Sequence, residues 1–418
     1  MSPIKVVFSI GSLHGGGAER QIVSLVRHLD RRRVQPLLYL VYRSGTLLSE
    51  VPDDVPVAAF DERYRGSGRP GFLMHGRRVA DMTAFLKECR ADVSYDRTFL
   101  MTLIAAAAAQ RADVPNVSSI VTDPSLGFAP VAGRHQWLKK RLLRRLYCRS
   151  ACVLANSDGA ARSAERFYGL PSGLVTTLHN GVDLQHIRQQ AAVPVNNVWW
   201  NRPSAPGRRR FRIVTAGRLG PQKGFHLLIE AVRQLSDADP NTEFRLAVLG
   251  EGRFHDSLGA QIRDSGLSQV VLLTGFQTDA AAWYRQADLF VLPSFLEGMP
   301  NVLLEAMACG TPVLSTDCPS GPREILEDGR CGELCEVGSV PALVRGIQKF
   351  AADDDCGRRY TSFATPRVEQ QFSIQTAARK LEDILVAAAT MRRSGDRIRR
   401  RRLGGSGSGC EPFDSGGQ

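Results

Sequence analysis

The feature that most narrows the fold of this chain is an alternation of short apolar strand, turn and longer helix, repeated many times and interrupted once. It begins with the apolar residues Val6, Val7, Phe8 and Ile10, followed by a helical pattern over residues 18–29. Later it reads "ACVLANS" from Ala151, followed by "DGAARSAERFYG". Alternation of this kind indicates βαβ units on a parallel sheet. It breaks over residues 193–210, "VPVNNVWWNRPSAPGRRR", and then resumes as "FRIVTAG", "FRLAVLG", "VVLLTG" and "DLFVLPS", each followed by a helical segment. A chain of 418 residues also exceeds what one core usually supports. The expected fold class is therefore α/β, with two Rossmann-like, doubly wound domains facing a cleft. The boundaries read as a first domain at 1–190, a linker at 191–210 and a second domain at 211–365. A C-terminal helix at 366–390 is expected to return to the first domain, and the basic Gly/Ser-rich tail at 391–418 reads as disordered.

Composition excludes several classes. Nine cysteines, odd in number and widely spread, do not form a disulfide framework, and a reducing cytosol fits them best. The C-x-x-x-C pairs Cys148/Cys152 and Cys331/Cys335 lack the spacing and histidines of a zinc site. The amino terminus is too short in apolar residues for a signal peptide. The longest apolar run, "FLMTLIAAAAA", falls well short of the roughly 20 residues that cross a bilayer. A cytoplasmic location follows as the expectation, with any membrane contact peripheral. The net charge of +12 is local: seven Lys or Arg and no acid lie between Arg134 and Arg149.

Three stretches carry chemistry. "GSLHGGGAER" follows the first strand and opens a helix, so Gly16 and Gly17 permit close approach of a ligand to free N–H groups, or form a plain tight turn. It is neither a G-x-G-x-x-G fingerprint nor a P-loop. "TAGRLGPQKGFHLL" sets Arg218 and Lys223 on a glycine-rich loop at a strand's carboxyl end, where two cations suit a diphosphate. Beyond such strand ends ligands bind in doubly wound sheets. "SFLEGMPNVLLEAMACGTPVLS" places Glu297 in a loop, Pro300 at the first helical position and a helix stop at Gly310. Glu305 then falls inside the helix, where it lines a cleft or pairs with a base.

With these residues in view, the chain resembles the retaining family 4 glycosyltransferases of the GT-B fold. The resemblance rests on the E-x7-E spacing of Glu297 and Glu305, on "GGGAE", "HNGVD", "AGRLGPQKGF", "LGEG" and "TGF", and on their order. It spans the chain from Ile4 to about Ala389, and "CPSGPREIL" is similar to members that build bacterial surface polysaccharides and lipid-linked oligosaccharides. The resemblance implies that Glu297 contacts the donor sugar, Glu305 the ribose, and Arg218 and Lys223 the diphosphate. It also implies that Gly298, Met299, Asn301 and Val302 offer backbone N–H groups, and that Gly250, Gly275 and Phe276 line the donor site. Catalysis is then assigned to Glu297, Arg218 and Lys223. The implied reaction moves a sugar from a nucleotide sugar, UDP-linked, to a glycan or polyprenyl-diphosphate-linked acceptor, with no cofactor and no metal. D-x-D at Asp353 and Asp355, and the pair Asp237/Asp239, read as solvated acids. One departure stands out: Val121 and Thr122 occupy the place of a histidine common in the family, and His135 lies too far along. This motivates one rival reading, a nucleotide-sugar-binding protein of weak activity; another is a GT-B epimerase, which the E-x7-E run disfavours.

The basic segment "RHQWLKKRLLRRLYCRS" puts Leu138, Leu142, Leu143, Leu146 and Tyr147 on one arc and most cations on the other. An anionic membrane surface and a core-packed helix with a solvated basic face both fit this pattern. Nucleic acid does not, since aromatic interleaving is absent.

Overall fold

The computed structural model describes residues 2–64, 72–133 and 135–393. Arg134, the first residue of the basic segment, and the tail from residue 394 lie outside the described residues. Two parallel sheets form the frame. The first contains β1 (Ile4–Ile10), β2 (Val34–Leu40), β3 (Val57–Ala59), β4 (Val93–Arg97), β5 (Asn116–Ile120), β6 (Cys152–Ala155) and β7 (Val175–Thr177), in the order β3-β2-β1-β4-β5-β6-β7. The second contains β8 (Arg209–Ala216), β9 (Thr242–Leu249), β10 (Val271–Gly275), β11 (Leu289–Leu292), β12 (Val313–Thr316) and β13 (Glu333–Cys335), in the order β10-β9-β8-β11-β12-β13. The two doubly wound α/β halves expected from the alternation are thus the architecture observed. Central strands such as β1 and β11 are buried on both faces, which is why they read as continuous apolar runs rather than as alternating ones.

Strand order reverses between β1 and β4 in one sheet and between β8 and β11 in the other. At such switch points the connections diverge to opposite faces and leave a crevice beyond the strand ends. The glycine-rich loops after β1 and β8 sit at these two places. The apolar run 99–109 forms most of the helix Phe99–Ala112, whose small side chains let it pack deeply against the first sheet.

The C-terminal segment differs in detail from the sequence reading. Residue 366 does not begin a helix: Pro366 lies inside the helix Asp354–Gln371. That helix tolerates the missing N–H because tertiary contacts hold it, among them Arg367, which donates to the carbonyls of Glu324 and Ile325. The helix Ile374–Arg393 follows, so residues 391–393, read as tail, are helical. It buries Ile374, Ala378, Leu381 and Leu385 against Ile22, Val26 and Leu29 in the core of the first sheet.

Residues 191–210 do not hang free. Trp200, in the short helix Val198–Asn201, is wholly buried, with its ring 5.2 Å from that of Trp283. Arg245 of β9, 0% exposed, lies on the sheet face that carries this segment and donates to the carbonyls of Trp199, Trp200, Arg202 and Pro203, while Glu243 accepts from its Nε and Nη2.

Among the described residues the buried acid Asp96 is paired with no cation. Asp96 of β4 accepts from Thr102 Oγ1, from Asn116 Nδ2 (2.7 Å) and from Ser118 Oγ (2.9 Å), yet burial still lifts its carboxyl from 3.8 to about 6. The folded protein therefore holds this proton more tightly than the unfolded chain. Stability from this group is greatest below pH 3.8 and falls as pH rises to about 6, by roughly 3 kcal/mol in all. Among the described residues Asn116 Oδ1 has no partner, so a rotated Asn116 can accept from an amide at position 96. Asp96→Asn is expected to gain stability over wild type progressively from pH 4 to pH 7, read from denaturant midpoints; a constant difference across that range would refute the linkage.

Candidate active site

The crevice beyond β8 and β11 gathers most of the residues singled out above. Gly217, Gly250 and Gly275 end three adjacent strands and lock together: Gly217 N–H donates to Leu249 (2.9 Å) and Gly250 N–H donates to Gly275 (2.8 Å). At Gly250, φ is +135° and an added Cβ would lie 2.0 Å from the Gly217 carbonyl oxygen, so no side chain fits. Phe276, just after Gly275, is 53% exposed, and the Arg20 guanidinium from the first half lies over its ring at 5.6 Å.

The two cations of the glycine-rich loop part company. Arg218 is exposed, and among the described residues it has no ion-pair partner. Lys223 Nζ instead donates to Glu297 Oε1 at 2.6 Å, an oxygen that also accepts from Ser294 Oγ at 2.6 Å. Glu297 is 9% exposed, so this is a largely desolvated pair rather than a surface one. The residue that the resemblance assigns to the sugar and one of those it assigns to the diphosphate thus hold each other.

Helix Asn301–Ala308 starts one residue later than expected, with Pro300 as its extended cap. Gly310, at φ +71°, follows its end. The loop before it, with Gly298 and Met299, is buried because the first half covers it. A Cβ on Gly298 would lie 2.4 Å from the Val121 carbonyl oxygen, 3.0 Å from Asn156 Nδ2 and 3.1 Å from Thr122 Cα. The backbone of Val121 and Thr122, where the family's histidine is missing, therefore abuts the loop at Gly298. His135 caps the basic helix on the exposed surface with φ +62° and does not substitute for it. Val302 and Asn301 are partly exposed at the helix start. Glu305, one turn further in, is partly buried; burial raises its carboxyl and Arg20, reaching from the first half, opposes the rise. Its proximity also helps burial push the Cys309 thiol up to about 12. Gly16 caps the helix Gly17–His28, whose first turn carries Arg20.

At the seam Arg97 carried no motif signal, whereas His179 and Asn180 lie in "HNGVD" and Glu324 in "CPSGPREIL", motifs whose individual residues were given no role. Arg97, at the end of β4, and Asn180, in "HNGVD", bond to one another, and Asn180 continues to Asn301. Asp158, His179 and Glu324 form the cluster of metal-ligand type found among the described residues. There Glu324 accepts from the Asp158 N–H and hydrogen-bonds His179, so it ties the seam together at a helix start.

Two family models match the chain. Residues 15–186 match "Glycosyltransferase Family 4" and residues 210–353 match "Glycosyl transferases group 1". The chain belongs to the family 4 glycosyltransferases of GT-B architecture. Among its relatives is an N-acetylgalactosamine-N,N'-diacetylbacillosaminyl-diphospho-undecaprenol 4-alpha-N-acetylgalactosaminyltransferase of Campylobacter jejuni, 29% identical over 59% of this chain and 64% of the relative. Another is a putative colanic acid biosynthesis glycosyltransferase, WcaL, of Salmonella typhimurium, 31% identical over 58% of each chain. The match thus spans less than two thirds of these relatives' length. Of solved structures, HepE of Anabaena, in complex with UDP, superposes with a TM-score of 0.74 at 24% identity, over 92% of this chain and all of that one. Sucrose-phosphate synthase of Thermosynechococcus elongatus superposes with a TM-score of 0.73 at 16% identity, over 91% and 98%.

Proposed function

We propose that this protein is a retaining, metal-independent glycosyltransferase that moves a sugar from a UDP-sugar to a glycan or polyprenyl-diphosphate-linked acceptor in surface polysaccharide synthesis. The observation that carries the reading is the meeting, in one crevice, of the Lys223–Glu297 pair, the unpaired Arg218 and the first turn of helix Asn301–Ala308, with Glu305 one turn on. The Campylobacter relative is named for a diphospho-undecaprenol acceptor and HepE for its UDP complex, which supports the donor and acceptor classes.

The chemistry follows from where charge develops. As the sugar leaves, negative charge grows on the nucleotide's terminal phosphate oxygen. Lys223, Arg218 and the helix-start N–H groups are placed to stabilise it, and donors fixed beforehand need no reorganisation at that moment. Glu297 would accept from sugar hydroxyls, exchanging its lysine for the substrate. No carboxylate in the crevice is assigned as a nucleophile. In our reading the leaving phosphate takes the acceptor's proton on the same face, which retains the anomeric configuration. Glu305 would hold the ribose hydroxyls.

Turnover of UDP- and GDP-sugars against polyprenyl-diphosphate glycans tests this, with EDTA present throughout. Transfer from a UDP-sugar with retained configuration supports the reading; none with any donor removes it. A second reading, a donor-binding protein of weak activity, is favoured by Val121 and Thr122 standing beside Gly298 in place of a histidine. It predicts UDP binding without transfer in the same panel.

Membrane attachment at the cytoplasmic face is part of the proposal. Among the described residues no helix is long and apolar enough to cross a membrane. Of the apolar arc in helix Gln136–Tyr147, only Leu143, Leu146 and Tyr147 join the core; Leu138 and Leu142 are exposed and Trp137 is 68% exposed. Leu126 and Val131 of the neighbouring helix Pro124–Ala132 are exposed as well. Apolar groups beside Lys140, Arg141, Arg144 and Arg145 suit an anionic interface, at about 1 kcal/mol per cation. Arg144→Glu with Arg145→Glu is expected to cut binding to phosphatidylglycerol vesicles tenfold or more in a flotation assay; unchanged flotation would remove the membrane from the proposal.

A further inference from the structure

A buried guanidinium lies beneath the crevice without a counter-charge. Arg97, at the carboxyl end of β4, is 3% exposed, and among the described residues no carboxylate lies within ion-pair distance of it. Its Nε has no partner, Nη1 donates to Tyr95 Oη at 3.3 Å, and Nη2 donates to Asn180 Oδ1 at 2.7 Å. Burying a cation against neutral groups alone is costly, so the arrangement invites a reason beyond packing.

The reason is found by following hydrogen-bond polarity outward. An arginine has donors only, so the Asn180 atom facing it must be the oxygen. The Asn180 amide is thereby oriented, and its Nδ2 donates to Asn301 Oδ1 at 2.9 Å. Asn301 is oriented in turn: its oxygen is occupied, and its own Nδ2 is left with no protein partner among the described residues, on a partly exposed residue at the first position of helix Asn301–Ala308. Three residues far apart in sequence thus settle which end of one amide is presented at the seam. That end is a donor, the same polarity as the helix-start N–H groups beside it.

We propose that Arg97 is a positioning residue which, through Asn180, holds the Asn301 side chain as a hydrogen-bond donor toward the diphosphate of the bound nucleotide. This rests on the donor-site reading above. Without Arg97 the Asn180 amide is free to rotate, and Asn301 can then present its oxygen to an anion. The guanidinium itself stays out of contact with substrate.

Asn180→Asp separates this role from a structural one. The aspartate still accepts from Arg97, now as a buried ion pair, so the fold keeps its contact. Its second oxygen can only accept, so Asn301 must turn its Nδ2 inward and its oxygen outward. Losing a hydrogen bond to a charged phosphate corresponds to roughly a ten- to hundredfold weaker Kd. The experiment is titration calorimetry of UDP and GDP against the full chain as wild type, Asn180→Asp and Arg97→Met, with thermal unfolding of each. Expected are wild-type binding of UDP, a Kd at least tenfold weaker in Asn180→Asp at an unchanged Tm, and a smaller loss in Arg97→Met, whose amide samples both orientations. Wild-type binding with Asn180→Asp within twofold of it overturns the relay alone. Wild type that binds neither nucleotide overturns the donor-site reading and the relay with it. Should Asn180→Asp not fold, Arg97→Met decides: a UDP Kd within twofold of wild type overturns the relay.

Discussion

Glu297→Gln is expected to lower transfer by about 10²- to 10³-fold while leaving UDP affinity unchanged or tighter, whereas Lys223→Met should lose both. The asymmetry comes from the pair that these residues form at 2.6 Å. Removing the carboxylate's charge leaves Ser294 able to bond the new amide and frees Lys223, which is 17% exposed and can turn to a diphosphate. The sugar contact is weakened, and with it the transition state, but the nucleotide gains an unencumbered cation. Removing the lysine instead strands Glu297 as an uncompensated acid in a desolvated loop, at roughly 3–5 kcal/mol, and puts that negative charge beside the phosphates. Calorimetry with UDP and steady-state transfer rates check both arms. Equal loss of UDP affinity in the two variants would mean that the pair is structural and that neither residue meets the donor as assigned.

Arg245→Met should cost roughly 3–5 kcal/mol in chemical denaturation of the C-terminal half, among the largest single losses available outside the apolar core. The side chain is fully buried and saturates four backbone carbonyls of the segment at 199–203 as well as Glu243. Methionine matches the volume but takes the donor from the carbonyls of Trp199, Trp200 and Pro203, and unsatisfied buried acceptors carry the full desolvation cost, whereas the Arg202 carbonyl keeps Arg210 and Glu243 keeps Arg202 and the Ala205 N–H. Arg245→Lys keeps the charge but not the fork, so an intermediate loss is expected. A loss below about 1 kcal/mol in Arg245→Met would show that the segment re-anchors through Trp200 alone.

The fold was largely legible because its signals are local. Strand and helix periods, the glycines at Gly217, Gly250 and Gly275, and the turn before Asn301 are each decided by a few consecutive residues and by what a tight strand end will admit. The break at 193–210 was legible as a boundary, but its attachment was not. Nothing in three prolines and four arginines says that Trp200 will enter a core or that Arg245, in the middle of a strand, will clamp the segment. The helix start at 366 was misplaced for the converse reason: Pro366 is tolerated inside a longer helix that contacts such as those of Arg367 with the distant short helix Pro322–Ile325 hold in place.

At the site the division runs the same way. The sequence by itself determined two doubly wound halves, the glycine-rich strand ends, Glu297 in a loop and Glu305 in the following helix, and the absence of a histidine at Val121 and Thr122. Only the tertiary structure decided that Lys223 is held by Glu297, that Val121 and Thr122 abut Gly298, and that Arg97 reaches Asn301 through Asn180. The physical reason is that periodicity records how each residue relates to its own element. Which side chains meet across a seam depends on how two separately folded sheets pack, and that relation has no fixed offset along the chain.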